Sequence, residues 1–165
     1  MEKKIKSITL KQSIMSTHPL TNLDIQRYVD KTKLPNFRGV FMRDNLPMSS
    51  GPRRCECGIV NLNTSQQPGS HWVCYYKNKA KRIYFDSFGQ ITPIEVQKYL
   101  KTKQEFDEGI CVIERNTDIV QNINSSECGH LCLIVLTALS KEEGGGMNFQ
   151  QIINILRQRR LNGYS

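Results

Sequence analysis

The sequence predicts an α+β fold, with a central mixed, mostly antiparallel sheet packed against one buried helix and further helices at both ends. Three observations lead there. Residues 55–62, 71–76, 82–85 and 110–114 are short runs rich in β-branched, aromatic or apolar residues, separated mostly by turn residues, and they read as strands of one sheet. The stretch 128–140 is apolar on nearly every face, through Leu131, Cys132, Leu133, Ile134, Val135, Leu136, Ala138 and Leu139, so a helix there should run through the core. Helix-start signals lie on both sides of this block.

The elements follow in chain order. Residues 1–17 are polar and mixed, and read as a weakly ordered arm. Thr21-Asn-Leu-Asp24 has the pattern of a capping box, and Leu23, Ile25, Tyr28 and Val29 fall near helical spacing, which predicts a helix over about 21–31. Pro35 ends that region, Phe37 to Met42 is strand-like, and the Pro-, Ser- and Gly-rich residues 46–53 should form an exposed loop. Between the third and fourth strand runs, Pro93 to Tyr99 reads as a helix start, because proline is tolerated in the first turn. Gly144-Gly145-Gly146 breaks the chain after the buried helix. An amphipathic helix should follow over about 148–160, with Phe149, Ile152, Ile153, Ile155 and Leu156 on its apolar side. A length of 165 residues suits a single domain over 1–165.

Composition narrows the function classes. The fractions of 38% apolar and 23% charged residues are those of a soluble globular chain, and no apolar run approaches the roughly 20 residues of a membrane span. Met1-Glu-Lys-Lys-Ile-Lys lacks the apolar core of a secretion signal, so a non-secreted protein in a reducing compartment is expected. In that setting the six cysteines read as thiols or metal ligands rather than a disulfide framework. The formal charge of +8 is spread over Lys3 to Lys6, Lys77 to Arg82, Lys98 to Lys103 and Arg157 to Arg160. Such clusters attract an anionic partner such as DNA, or serve solubility alone.

The chemistry centres on Cys128. A polar, turn-rich run from Gln121 ends in this cysteine at the head of the apolar helix, where unpaired backbone N–H groups and the positive end of the macrodipole favour a thiolate. His71 opens the aromatic run His71-Trp72-Val73-Cys74-Tyr75-Tyr76, and an imidazole at a strand edge can take the thiol proton and return it to a leaving amine. Asp86 ends the next strand; if the two strands form a hairpin, His71 and Asp86 lie near one end of the sheet, where a carboxylate could orient the imidazole. Gln121 lies seven positions before Cys128, and its amide could join the Cys128 backbone N–H in an oxyanion hole. Taken alone, His71 also reads as a partly exposed strand residue and Asp86 as a turn-former. His130 and His18 compete for the base role. Two positions after Cys128 on a helix, His130 should point to another face, and His18 would need a long excursion.

In order and spacing these residues resemble the adenain family of viral maturation cysteine proteases and the related SUMO- and ubiquitin-like-specific proteases. The matching pieces are Phe37-Arg-Gly-Val-Phe41; Gly58-Ile-Val-Asn61 leading through Gly69-Ser-His71-Trp72; Tyr84-Phe-Asp86-Ser-Phe-Gly89; and Val120-Gln121 with Asn124-Ser125 and Cys128-Gly129. The resemblance implies His71 as base, Asp86 as its orienting acid, Gln121 as oxyanion donor, Cys128 as nucleophile, and Trp72 as a wall of a narrow cleft. Adenain carries a glutamate at the acid position, so Asp86 agrees instead with the SUMO-protease branch. The implied reaction is peptide hydrolysis through an acyl-enzyme thioester, at Gly-containing sites of viral capsid precursor proteins, by a monomer in the virion and infected cell. No cofactor is required for that chemistry. The resemblance allows activation by DNA or by a peptide. A peptide is disfavoured here, because Cys111 stands one residue closer to Gln121 than adenain's peptide-linking cysteine and the chain ends sooner.

Two other functions fit parts of the pattern. The same four residues would serve a protease that removes ubiquitin-like modifiers from host proteins. Cys55, Cys57 and Cys74, with Cys111, could hold zinc in a nucleic-acid-binding module, although their spacings match none of the usual ligand patterns and packing as small hydrophobes accounts for them.

Overall fold

The computed structural model describes residues 18–66 and 71–163, so the arm expected at 1–17 lies outside the described residues. Helix α1 (Asn22–Thr32) opens with the capping box the sequence announces: the Thr21 hydroxyl accepts from the Asp24 amide, and the Asp24 carboxylate accepts from the Thr21 amide. Strands β1 (Phe37–Met42), β2 (Cys55–Asn61), β3 (Trp72–Asn78), β4 (Lys81–Phe85) and β5 (Ile113–Arg115) form one sheet in that order. Helices α2 (Ile94–Leu100) and α3 (Lys103–Asp107) fall between β4 and β5; α4 (Cys128–Leu139) and α5 (Phe149–Leu161) follow.

The sheet is mixed, with antiparallel pairing across its centre, β2 to β3 to β4, and parallel pairing at both edges. The edges are parallel because each is reached by a crossing connection rather than a hairpin: residues 43–54 carry the chain from β1 to β2, and the α2–α3 segment carries it from β4 to β5. Alternation along the strands sorts side chains into two cores. Cys57, Ile59, Cys74, Ile83 and Phe85 face α1, α4 and α5, while Val60, Val73, Tyr75 and Tyr84 face Val96, Tyr99 and Leu100 of α2 and the loop residue Leu46. Helix α4 lies against β3 with ten of its twelve residues buried, as its apolar composition requires.

Three details depart from the sequence reading. Helix α3 was not foreseen, although Thr102 and Glu105 spell a capping box and both reciprocal bonds form. The last strand begins at Ile113, and Cys111 lies exposed ahead of it instead of on it. The loop 46–53 is exposed at 48–50 but anchored by the buried Leu46, 6% exposed.

The second core encloses a carboxylate. Glu56 on β2 is 1% exposed and accepts from the Tyr75 hydroxyl at 2.5 Å, the Tyr99 hydroxyl at 2.8 Å, Arg38 Nη1 at 2.9 Å and the Arg53 amide at 2.6 Å. Arg38 in turn reaches Ser50 and the Gly51 carbonyl, so one buried charge ties β1, α2 and the 43–54 loop to the sheet. Gly58 makes room for the Tyr75 hydroxyl, since a Cβ there would stand 2.7 Å from it. Glu56→Ala leaves the guanidinium and two hydroxyls without their acceptor, and is expected to lower unfolding free energy by roughly 3–5 kcal/mol in urea titration. A loss under about 1 kcal/mol would show that the cluster does not hold the fold.

Candidate active site

His71 stands immediately before β3, Asp86 immediately after β4, and Cys128 is the first residue of α4. Antiparallel pairing of Cys74 with Phe85 sets the neighbouring ends of β3 and β4 side by side, which places His71 Nε2 2.8 Å from Asp86 Oδ1. The other ring nitrogen, Nδ1, is then the one left for Cys128, whose sulfur lies near enough to His71 to act on its charge. The helix packs on the same strand, and the Trp72 amide donates to Cys128 Sγ at 3.5 Å. Thus one strand end supplies both the imidazole and a backbone donor for the sulfur.

The electrostatics favour an ion pair. Burial opposes a charge on Cys128, but hydrogen bonds from His71 and from the Trp72 and Gly129 amides, with the imidazolium charge, leave the thiol below its ordinary pKa. Burial also pulls the His71 imidazole down, yet the bond to Asp86 and the Cys128 sulfur outweigh it and raise the pKa to about 9. A raised base beside a lowered thiol favours transfer of the thiol proton to the imidazole, toward a thiolate–imidazolium pair. Phe88 covers the imidazole, with ring centroids 5.0 Å apart and planes 28° from parallel.

Asp86 is 1% exposed and held from several sides. Its Oδ1 also accepts from the Phe88 amide at 2.9 Å, and Asn116 brackets its peptide by accepting from the Asp86 amide and donating to its carbonyl. A turn closes at once by Gly89 N–H to Asp86 C=O, with Gly89 at φ +66°, where a Cβ would meet the Thr117 carbonyl at 2.4 Å. Gln121, 1% exposed, lies against this turn: the Ser87 hydroxyl donates to its Oε1 at 2.6 Å and its Nε2 donates to the Ser125 carbonyl at 2.7 Å. Thus His71 bonds Asp86, Ser87 beside Asp86 bonds Gln121, and the residue after His71 bonds the Cys128 sulfur.

Trp72 does more than line the site. Its indole N–H donates to the Leu20 carbonyl at 2.8 Å, and a Cβ on Gly129 would lie 3.1 Å from Trp72 Cδ1 and 3.2 Å from Leu20 Cβ. Glycine after the thiol thus lets the entry segment and the indole close over the first turn of α4. From behind, Arg159 of α5 pairs at 2.9 Å with Glu127, the residue that caps α4. His130 is buried, and His18 is exposed.

The cysteines proposed for zinc do not gather. Cys55 Sγ is at 3.5 Å from Asn78 Oδ1, Cys57 Sγ faces the Pro35 carbonyl and Cys74 Sγ the Cys132 carbonyl, while Cys111 is exposed. Among the described residues no three His, Cys, Asp or Glu side chains converge on a metal-sized position. Leu20 and Asn116 carry no signal in the sequence, and Ser87, Phe88 and Ser125 stand there only as parts of motifs, with no role of their own. Asp86-Ser87-Phe88-Gly89 was legible as a motif, but nothing in it tells which neighbour each side chain meets.

A family model described as adenovirus endoprotease matches residues 37–162. The chain belongs to the adenovirus endoprotease family. The span matched to that family contains His71, Asp86, Gln121 and Cys128. The chain is 28% identical over 113 residues to the protease of bovine adenovirus 2, covering 63% of this chain and 55% of that protein. To the protease of human adenovirus B serotype 3 it is 30% identical over 114 residues, covering 63% and 54%. This endoprotease-family chain therefore spans about half the length of the curated relatives it matches. A crystal structure of an ASFV protease shares the fold, with a TM-score of 0.54 at 18% identity, over 91% of this chain and 68% of that one.

Proposed function

We propose that the chain is a cysteine endopeptidase that cleaves viral capsid precursor proteins at Gly-containing sites during virion maturation, acting in the virion and infected cell. The observation that carries the reading is the imidazole of His71 hydrogen-bonded to a buried carboxylate at the strand end where the Trp72 amide holds a thiol at a helix N-terminus. In this reading Cys128 attacks the scissile carbonyl, His71 delivers its proton to the leaving amine and then activates water, and Asp86 stabilises the imidazolium throughout. Gln121 and the Cys128 amide donate to the tetrahedral oxyanion, and Trp72 shapes the cleft. The family membership supports a protease of viral proteins over other thiol chemistry.

The test is turnover of Gly-containing capsid-precursor peptides compared with ubiquitin-like fusions, with and without DNA. Faster cleavage of the peptides is expected. Preference for the fusions would transfer the site to removal of ubiquitin-like modifiers. The net charge of +8 supports DNA as an activator, and a rate increase that fades with added salt is the expected sign. A rate indifferent to DNA would leave the basic clusters as solubility features.

A further inference from the structure

Ser87 and Gln121 meet in a way that the proposed chemistry does not by itself require. Both are buried, at 0% and 1% exposure, and their side chains are joined by a 2.6 Å hydrogen bond. A primary amide has one accepting end and one donating end, and only the donating end can serve an oxyanion. At Gln121 the two ends are assigned by their neighbours. The Ser125 carbonyl can only accept, so the amide nitrogen lies on that side at 2.7 Å, and Oε1 is turned to Ser87, whose hydroxyl donates to it. One hydrogen of Nε2 is used by Ser125, and the second is left for another acceptor.

Ser87 is itself rigidly placed. Its carbonyl accepts from the Val120 amide at 2.9 Å, so the turn after β4 is bonded to both Val120 and Gln121. The preceding residue, Asp86, bonds His71. Two consecutive residues thus serve the two halves of the site: one carboxylate holds the proton-transfer group, and one hydroxyl holds the amide.

We propose that Ser87 is a positioning residue that orients the Gln121 amide, keeping its carbonyl oxygen away from the reacting carbonyl and its free N–H toward it. This rests on the endopeptidase reading, and on Gln121 as an oxyanion donor within it. A mis-set amide would present a lone pair where negative charge develops, so the effect belongs in the transition state and not in substrate binding.

The experiment is a double-mutant cycle with Ser87→Ala and Gln121→Ala, measured as kcat and KM on a peptide that the wild-type chain cleaves, alongside the rate and pH profile of Cys128 alkylation by iodoacetamide. Ser87→Ala is expected to lower kcat roughly 10- to 100-fold with KM within about twofold, and to cost less than about twofold more when Gln121 is already alanine. The alkylation profile of Cys128 should stay at its wild-type position, since the thiolate–imidazolium pair is not touched. Ser87→Thr keeps the hydroxyl and should hold kcat within about fivefold of wild type. Multiplying losses in the double variant, a kcat for Ser87→Ala within about twofold of wild type, or an alkylation profile that moves with Ser87 would each overturn the proposal. A wild-type chain that cleaves no peptide is a separate result, and refutes the endopeptidase reading instead.

Discussion

Cys128→Ala is expected to abolish peptide cleavage, lowering kcat on the order of 10⁵- to 10⁶-fold, because no other group near His71 can form the acyl intermediate. The nearest sulfurs, Cys132 and Cys74, are 0% and 1% exposed, and burial raises Cys132 well above the ordinary thiol range. The fold should survive, since alanine suits a helix start in an apolar setting and a free thiol there packs as a small hydrophobe. An unchanged far-ultraviolet spectrum and a loss of unfolding free energy under about 1 kcal/mol are expected. The same sulfur should be alkylated fastest of the six near neutral pH, because its thiol alone among the shifted cysteines is lowered. Retained turnover in Cys128→Ala, or faster alkylation at another cysteine, would refute the assignment.

The second large effect is at Asp86. The proposed mechanism requires Cys128 deprotonated and His71 protonated, so the rate should rise as pH passes the lowered pKa of the thiol and fall as pH passes about 9, where His71 loses its proton. Asp86→Asn keeps an oxygen for His71 Nε2 and the Phe88 amide but removes the charge that favours imidazolium. Burial, which pulls the imidazole down, is then less opposed, and the alkaline limb of the pH–rate profile should move to lower pH. A loss in kcat of roughly 100-fold is expected for asparagine and roughly 10³- to 10⁴-fold for alanine, which also frees the ring to rotate. The amide nitrogen of asparagine would fall where Asp86 Oδ2 now lies, buried and without a hydrogen-bond partner, so some stability is lost as well. An alkaline limb that stays in place in Asp86→Asn would show that the carboxylate does not set the charge on His71.

Much of the fold was legible because its signals are local. The capping box at Thr21, the apolar faces of α4 and α5 and the β-rich runs of β1 to β4 each declare themselves within a dozen residues, and the observed boundaries fall within two residues of those expected. Helix α3 was missed although its Thr102–Glu105 box was equally local; with only five residues and none buried, it has no apolar periodicity to mark it. Cys111 was misplaced because an Ile-Cys-Val-Ile run reads as strand, whereas only Ile113 to Arg115 find a partner in β4.

What the sequence determined by itself was the kind of each element and the groups proposed for the site: an imidazole, a carboxylate, an amide and a helix-head thiol, in an order that resembles the adenain family. Only the tertiary structure decided which atoms meet. The pairing of β3 with β4 chose Nε2 of His71 for Asp86 and left Nδ1 to the sulfur, and the packing of α4 on β3 brought Cys128 to the Trp72 amide. The turn at 86–89 turned Ser87 toward Gln121, and Glu56 drew together two tyrosines and an arginine from distant segments. The physical reason is range. Capping and periodicity act within a few residues, whereas pKa shifts and hydrogen-bond direction are set by neighbours tens of positions away, brought close only when the sheet has paired and the buried helix has docked.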